Sequence, residues 1–366
     1  MSFFTVMLRR ARNNCFSLTI IRVPMQLSLP IVSLLFVASL LITMSAAAWF
    51  TRRLEAVCDA LNLSPSLLSL LGALGANIPN YVASIVAIAG GHLDVGLGII
   101  IGSNIYNSAI ILSLATFVTP RRHGIIFNFK EAQDVRVVGG YALAILLMTL
   151  LVIWVLPGTP LVGWLHAPPM ALSLLFFVVL VTLGLFGGLA LHALRRGHAE
   201  GDGTDEADAV YIDVTTKGHV TRWIGEGLLA LVIALGGVVV MVQSGQALTA
   251  DLHMPEVLAG LLVLAVATSL PNTVVAYGLA RTDREVACVE EIFSSNSINA
   301  ALGIALPLLF WRDVLHDRTL LLLDGPLMVA LTLGALLCVL RRRVSRTTGV
   351  VLLLVYAAWV VVHVLV

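Results

Sequence analysis

The chain carries nearly the same polar motif pair twice, and both copies sit inside apolar sequence. Ala73–Asn80 reads ALGANIPN and Ala265–Asn272 reads AVATSLPN, 192 residues later. A Ser-Asn follows each Pro-Asn after 23 residues, in GSNIYN (Gly102–Asn107) and SSNSIN (Ser294–Asn299). The two copies align without a gap. Few folds tolerate a proline and several amides in greasy segments. A duplicated set is expected where two halves of a membrane protein meet around a binding site at the bilayer midplane.

Composition agrees, with 59% hydrophobic and 12% charged residues, against roughly 25% charged in a soluble domain. Ten apolar spans of about bilayer length are read near 29–50, 64–90, 94–118, 135–157, 168–194, 223–248, 256–280, 285–310, 320–340 and 347–366. The expected fold is an all-α membrane protein of ten transmembrane helices. A net charge of +1 gives no hint of nucleic acid as a partner, and the lipid bilayer is the implied one. Cys15, Cys58, Cys288 and Cys338 lack C-x-x-C spacing, so neither a disulfide framework nor a zinc site is indicated.

The polar segment 195–222, holding Glu200, Asp202, Asp205, Glu206, Asp208 and Asp213, divides the chain into five-helix repeats at 29–194 and 223–366. Five is odd, so the second repeat enters the membrane from the opposite side and the repeats are inverted. With alternating spans, 16 of the 22 basic residues fall on the side of the 195–222 loop, Arg341, Arg342, Arg343 and Arg346 among them. Positive loops stay inside, so this loop is expected in the cytoplasm and both termini outside, in a plasma (inner) membrane. Residues 1–28 read either as a targeting leader or as an extension upstream of a start at Met25.

On a helix, Ala73, Ala76 or Asn77, and Asn80 share a face, as do Ala265, Thr268 or Ser269, and Asn272. Pro79 and Pro271 lack an N–H, which releases the carbonyls of Gly75 and Ala267 and predicts irregular turns in spans 2 and 7. Ser103 and Asn107 are four residues apart, and so are Ser295 and Asn299. Carbonyl, amide and hydroxyl oxygens are hard ligands suited to alkali or alkaline-earth cations. The same small polar residues also serve membrane helices as packing glue, but an ungapped duplication favours a site.

At these residues the chain resembles the calcium/cation antiporter superfamily, the sodium/calcium exchangers, whose two repeats carry G-T-S-x-P-E/D and then G-S-N-x-x-N/D. The likeness in residues is specific over Leu71–Leu114 and Leu261–Leu306. It implies alternating-access antiport, with Na⁺ and another cation competing for sites among spans 2, 3, 7 and 8. Matched position by position, the ion-site residues are Ala73, Ala76, Asn77, Asn80, Ser103 and Asn107 in the first repeat. In the second they are Ala265, Thr268, Ser269, Asn272, Ser295 and Asn299.

The departures bear on the ion. Asn80 and Asn272 replace the acid after each proline, Asn299 stands where an acid is sometimes found, and Ala76-Asn77 replaces Thr-Ser. The matched site is formally neutral. Stripping Ca²⁺ of water calls for anionic ligands, so weak cation binding is expected, Na⁺ or H⁺ coupled, with poor Ca²⁺ binding. Glu291, with Ser295 and Asn299 at i+4 and i+8, lies on the site stripe about one turn, roughly 6 Å, away. It is either a coupling acid at membrane depth or, with Glu290, a water-facing residue that pairs with Arg281 or Arg284.

Glu226 reads as interfacial, and Asp94, Asp251 and Glu256 as solvated span ends. His192 and His363 have no carboxylate near them in sequence and read as structural. Nothing resembles a nucleophile and base, a phosphate loop or a metal-hydrolase helix, so no enzyme and no cofactor is expected. A non-transporting membrane protein that keeps the exchanger fold as a partner subunit is the alternative function.

Overall fold

The computed structural model describes residues 28–60, 72–165, 168–201, 214–251, 255–281, 284–311 and 313–365. Residues 1–27, read as a leader or an extension, lie outside them, as do residues 202–213 of the polar segment. The spans form α1 (Leu29–Ala60), α2 (Ile78–Ala89), α3 (Leu93–Val118), α4 (Phe129–Trp154) and α5 (Pro168–Gly201). The second repeat supplies α6 (Val214–Asp251), α7 (Ala259–Arg281), α8 (Glu285–Leu309), α9 (Leu320–Leu340) and α10 (Arg346–Leu365). Among the described residues nine helices are long and apolar enough to cross a membrane, all of these except α2. α5 and α6 run on into the stretch expected as a loop, because Arg195, Arg196, Ala199 and Glu200 at the α5 end are good helix formers and helices continue past the bilayer surface.

The helices that carry the Ser-Asn motifs lie at the centre. α3 is 94% buried and α8 78%, whereas α10 is 22% buried and turns its apolar surface outward. The physical reason is the cost of exposing amides to hydrocarbon, which protein burial removes. α3 and α7 approach backbone to backbone. A Cβ built on Gly102 would stand 2.4 Å from the carbonyl oxygen of Leu261, and one on Gly260 would stand 2.5 Å from that of Val95. Glycine is required at both positions, as at many close crossings of membrane helices.

Both central helices widen at equivalent places. A π-helical turn spans Asn107–Ile111 in α3 and Asn299–Ala305 in α8, each beginning at the last asparagine of its motif. Such turns are rare and concentrate at functional sites. The irregular turn expected at Pro79 is present, since Asn77 interrupts the helix with φ −91° and ψ 0° and α2 starts with its proline in the first turn. The one expected at Pro271 is not. Ala265–Arg281 is α-helical with the proline inside it, and the distortion falls earlier, as a π turn over Ala259–Leu264. Near the proline two hydroxyls bond back within the helix, Thr268 donating to Leu264 O at 2.8 Å and Thr273 to Ser269 O at 3.1 Å.

The connecting segments meet as alternation requires. Ile125 and Ile126 pair with Val344 and Arg343 in a short antiparallel ribbon. On the same side Arg121 holds Glu285 at 2.9 Å, and Arg196 bridges Asp134 at 3.2 Å and Glu290 at 2.6 Å. The opposite side gathers residues 91–94 and 313–317 around an open cavity of about 550 Å³, where the His316 N–H donates to Asp94 at 3.3 Å. Asp94 is therefore buried rather than solvated.

Candidate functional site

The four motif segments converge between α2, α3, α7 and α8. Asn77, Asn80, Ser103, Asn107, Thr268, Ser269, Asn272, Ser295 and Asn299 are all 0–1% exposed. Buried amides on neighbouring helices must find one another, and here they do so in a directed chain. Asn80 Nδ2 (3.2 Å) and Asn272 Nδ2 (2.7 Å) both donate to Asn77 Oδ1. Asn77 Nδ2 donates to Ser295 Oγ and to the carbonyl of Ala73, each at 2.7 Å. Ser295 Oγ then donates to Glu291 Oε1 at 2.6 Å. Asn77, by sequence a departure from the exchanger pattern, is the hub that joins the two repeats.

Of the two readings of Glu291, burial and the Ser295 bond place it on the site stripe. Glu290 is the surface acid, and its cation is Arg196 rather than Arg281 or Arg284. Glu226 pairs with Arg53 at 2.6 Å and Arg222 at 2.7 Å.

A second set of bonds ties α3 to α8 with the symmetry of the repeats. Asn299 Nδ2 donates to Asn104 Oδ1 at 3.0 Å, and its counterpart Asn107 Nδ2 donates to Asn296 Oδ1 at 3.1 Å. Asn296 Nδ2 continues to Ser108 Oγ at 2.9 Å. Asn104 Nδ2 reaches Asn296 O at 3.3 Å and the Met328 sulfur of α9 at 3.5 Å. The sequence reading missed Asn104, Ser108, Asn296 and Met328. The asparagine of each duplicated Ser-Asn was the available signal for Asn104 and Asn296.

The remaining candidates contribute differently. Ser103 donates to Ala265 O at 3.3 Å, so Ala73 and Ala265 take part through their carbonyls. Ala76 adds only a buried methyl group. The Thr268 hydroxyl proton is used within its own helix. Six oxygens around the network have no hydrogen-bond partner among the described residues: Asn80 Oδ1, Asn107 Oδ1, Ser269 Oγ, Asn272 Oδ1, Glu291 Oε2 and Asn299 Oδ1. Such groups are costly to leave unmade in a dry interior. They form a set of hard acceptors drawn from both repeats. Among the described residues no three His, Cys, Asp or Glu side chains cluster as metal ligands.

A family model described as sodium/calcium exchanger protein matches residues 31–191 and 215–365. The chain is 25% identical over 338 residues to CaxA of Alkalimonas amylolytica, named as a candidate antiporter, covering 90% of this chain and 98% of that protein. It is also 25% identical over 280 residues to the inner membrane protein YrbG of Escherichia coli (strain K12), covering 75% and 78%. In structure it is similar to the sodium-calcium exchanger NCX_Mj soaked with 10 mM Na⁺ and zero Ca²⁺, with a TM-score of 0.62, 18% identity, and 91% and 99% of the two chains covered.

Proposed function

The chain belongs to the sodium/calcium exchanger family, as a membrane cation antiporter and not an enzyme, and from that premise we propose that its central site takes Na⁺ or H⁺ in preference to Ca²⁺. The observation that carries this reading is the charge of the network. Its ligand oxygens are amide, hydroxyl and carbonyl, and among the described residues Glu291 is the single carboxylate hydrogen-bonded to it. Ca²⁺ takes six to eight oxygens, usually with several carboxylates, to offset dehydration. A site of charge zero or minus one suits a monovalent cation better.

The hydrogen bonds suggest how Glu291 couples. Every donor in the chain from Asn80 and Asn272 points toward its carboxylate, so the amide oxygens of those two residues are the negative ends of aligned dipoles. Protonating Glu291 removes the charge that orients the chain and weakens the ion's ligands in one step. Na⁺ and H⁺ then compete for one site without touching the same atom, which is what antiport requires.

Purified protein in proteoliposomes tests this. Sodium uptake driven by an outward proton gradient, exceeding Na⁺-driven Ca²⁺ flux by at least about tenfold, is the expected result, corresponding to about 1.4 kcal/mol of discrimination. Flux of neither ion would favour a non-transporting subunit.

The protein is integral to the membrane, and its relative in Escherichia coli is an inner membrane protein. Its proposed orientation puts the 195–222 segment in the cytoplasm and both termini outside, supported by the 16 basic residues on the side of that segment. Ser345→Cys and Gly201→Cys should resist an impermeant thiol reagent in intact cells and react after permeabilisation. Labelling of both in intact cells would reverse the orientation.

A further inference from the structure

Away from the central site, the outer-facing end of α9 buries a second carboxylate. Asp324 is 0% exposed and ends the π-helical turn Leu320–Asp324. His363 of α10 lies with Nε2 2.7 Å from Asp324 Oδ1, and Trp359 Nε1 donates to the same oxygen at 2.7 Å. The His363 and Trp359 rings meet edge to face at 5.2 Å. Among the described residues His363 is the sole ion-pair partner of Asp324. Titratable groups nearby include the phenols Tyr356 of α10 and Tyr106 of α3, 6.1 Å apart between ring centroids, and Asp317, which accepts from Thr319, itself bonded to Asp324. Sequence reading took His363 as a lone structural histidine, and the acid 39 positions earlier corrects that.

We propose that Asp324 and His363 form a second proton-binding site, separate from Glu291, which exchanges a proton with the aqueous phase facing residues 313–319 and reports its occupancy to the central site through α9. Charge counting supports it. A carboxylate beside a neutral imidazole leaves one net negative charge in a dry interior, whereas one added proton makes a neutral pair. The bound species is a proton, since a metal would need more ligands than this carboxylate, one imidazole and an indole donor supply. Access is short, because His363 lies in the last turn of α10.

The link inward is physical. Met328 stands four residues, about one turn, beyond Asp324, and its sulfur touches Asn104 of the α3–α8 ladder. A change in how α9 seats against α10 therefore reaches a bond that joins the two repeats. A static cross-link between α9 and α10 would show the same contacts but would not titrate.

Solution spectra of full-length protein labelled with ¹⁵N-histidine in nanodiscs decide between them. The His363 signal is the one lost in His363→Gln and displaced in Trp359→Phe, so either variant identifies it. We expect the wild-type ring signal to move as the pH is varied between about pH 5 and pH 9, and Asp324→Asn to displace that movement. A ring that keeps one state across that range, or an unchanged midpoint in Asp324→Asn, overturns the proposal. Should Asp324→Asn fail to fold, the wild-type titration alone decides it. The readout does not depend on transport, so loss of the reading of the central site as a Na⁺ or H⁺ site would leave this test intact.

Discussion

Glu291→Gln is expected to lower coupled monovalent flux at least about 100-fold, equivalent to about 2.8 kcal/mol, while leaving the protein folded. Gln keeps the size of Glu and an oxygen to accept from Ser295, so the chain of hydrogen bonds to Asn77 can persist. What disappears is the single formal charge and the proton it exchanges. Folding is checked by monodispersity and thermal midpoint in detergent, and flux by sodium uptake in proteoliposomes under an imposed proton gradient. Micromolar Ca²⁺ affinity in the wild-type protein, unaffected by Glu291→Gln, would show that neutral oxygens suffice and that the charge argument fails.

Asn80→Glu combined with Asn272→Glu should create Ca²⁺ affinity where little exists, with a gain of at least about tenfold over the wild type. Both amide nitrogens bond the same oxygen, Asn77 Oδ1, so the two new carboxylates would stand close together in a buried space. Two like charges there repel each other and lose their hydration, and each also loses the amide donor that satisfied Asn77. A divalent cation bridging them relieves the repulsion. The double variant should therefore melt lower than the wild type without Ca²⁺ and recover as Ca²⁺ is added, by the usual linkage of ligand binding to stability. A melting temperature that ignores Ca²⁺, with no bound ion by equilibrium dialysis, would remove the matched positions from the site. Each single variant should show a smaller response, since one carboxylate with Glu291 supplies less charge.

The candidate site was legible in part. The positions of the Asn77, Asn80, Asn272 and Ser295 segments followed from duplication, and the structure brings their side chains into one hydrogen-bonded chain. Their roles were not legible. Asn77 looked like the loss of a Thr-Ser pair, yet it has both a donor and an acceptor, and so it can join three other side chains where a serine hydroxyl would have fewer bonds to give. Asn104 and Asn296 were repeated in plain view and passed over, because the exchanger pattern directs attention to the serine before and the polar residue three positions after.

The fate of the charged residues shows the same division. Glu290 and Glu291 are neighbours in sequence, and a helix turns about 100° per residue. One reaches Arg196 at the surface and the other faces the interior. Only the rotational setting of α8 against α3 and α7 decides which does which, and that setting is fixed by close contacts such as Gly102 against Leu261 rather than by any local signal.

The sequence by itself determined the all-helical membrane architecture, the two inverted repeats and the four segments that meet. Apolar length, loop charge and an ungapped duplication are properties of one dimension, and the bilayer turns them directly into spans and their alternation. Tertiary structure alone decided which side chains touch: the Asn77 hub, the Asn104–Asn299 and Asn107–Asn296 pairs, and the Asp324–His363 pair. Those contacts join helices from distant parts of the chain, and their partners are chosen by packing and by the need to satisfy every buried polar group, neither of which leaves a mark at any single position.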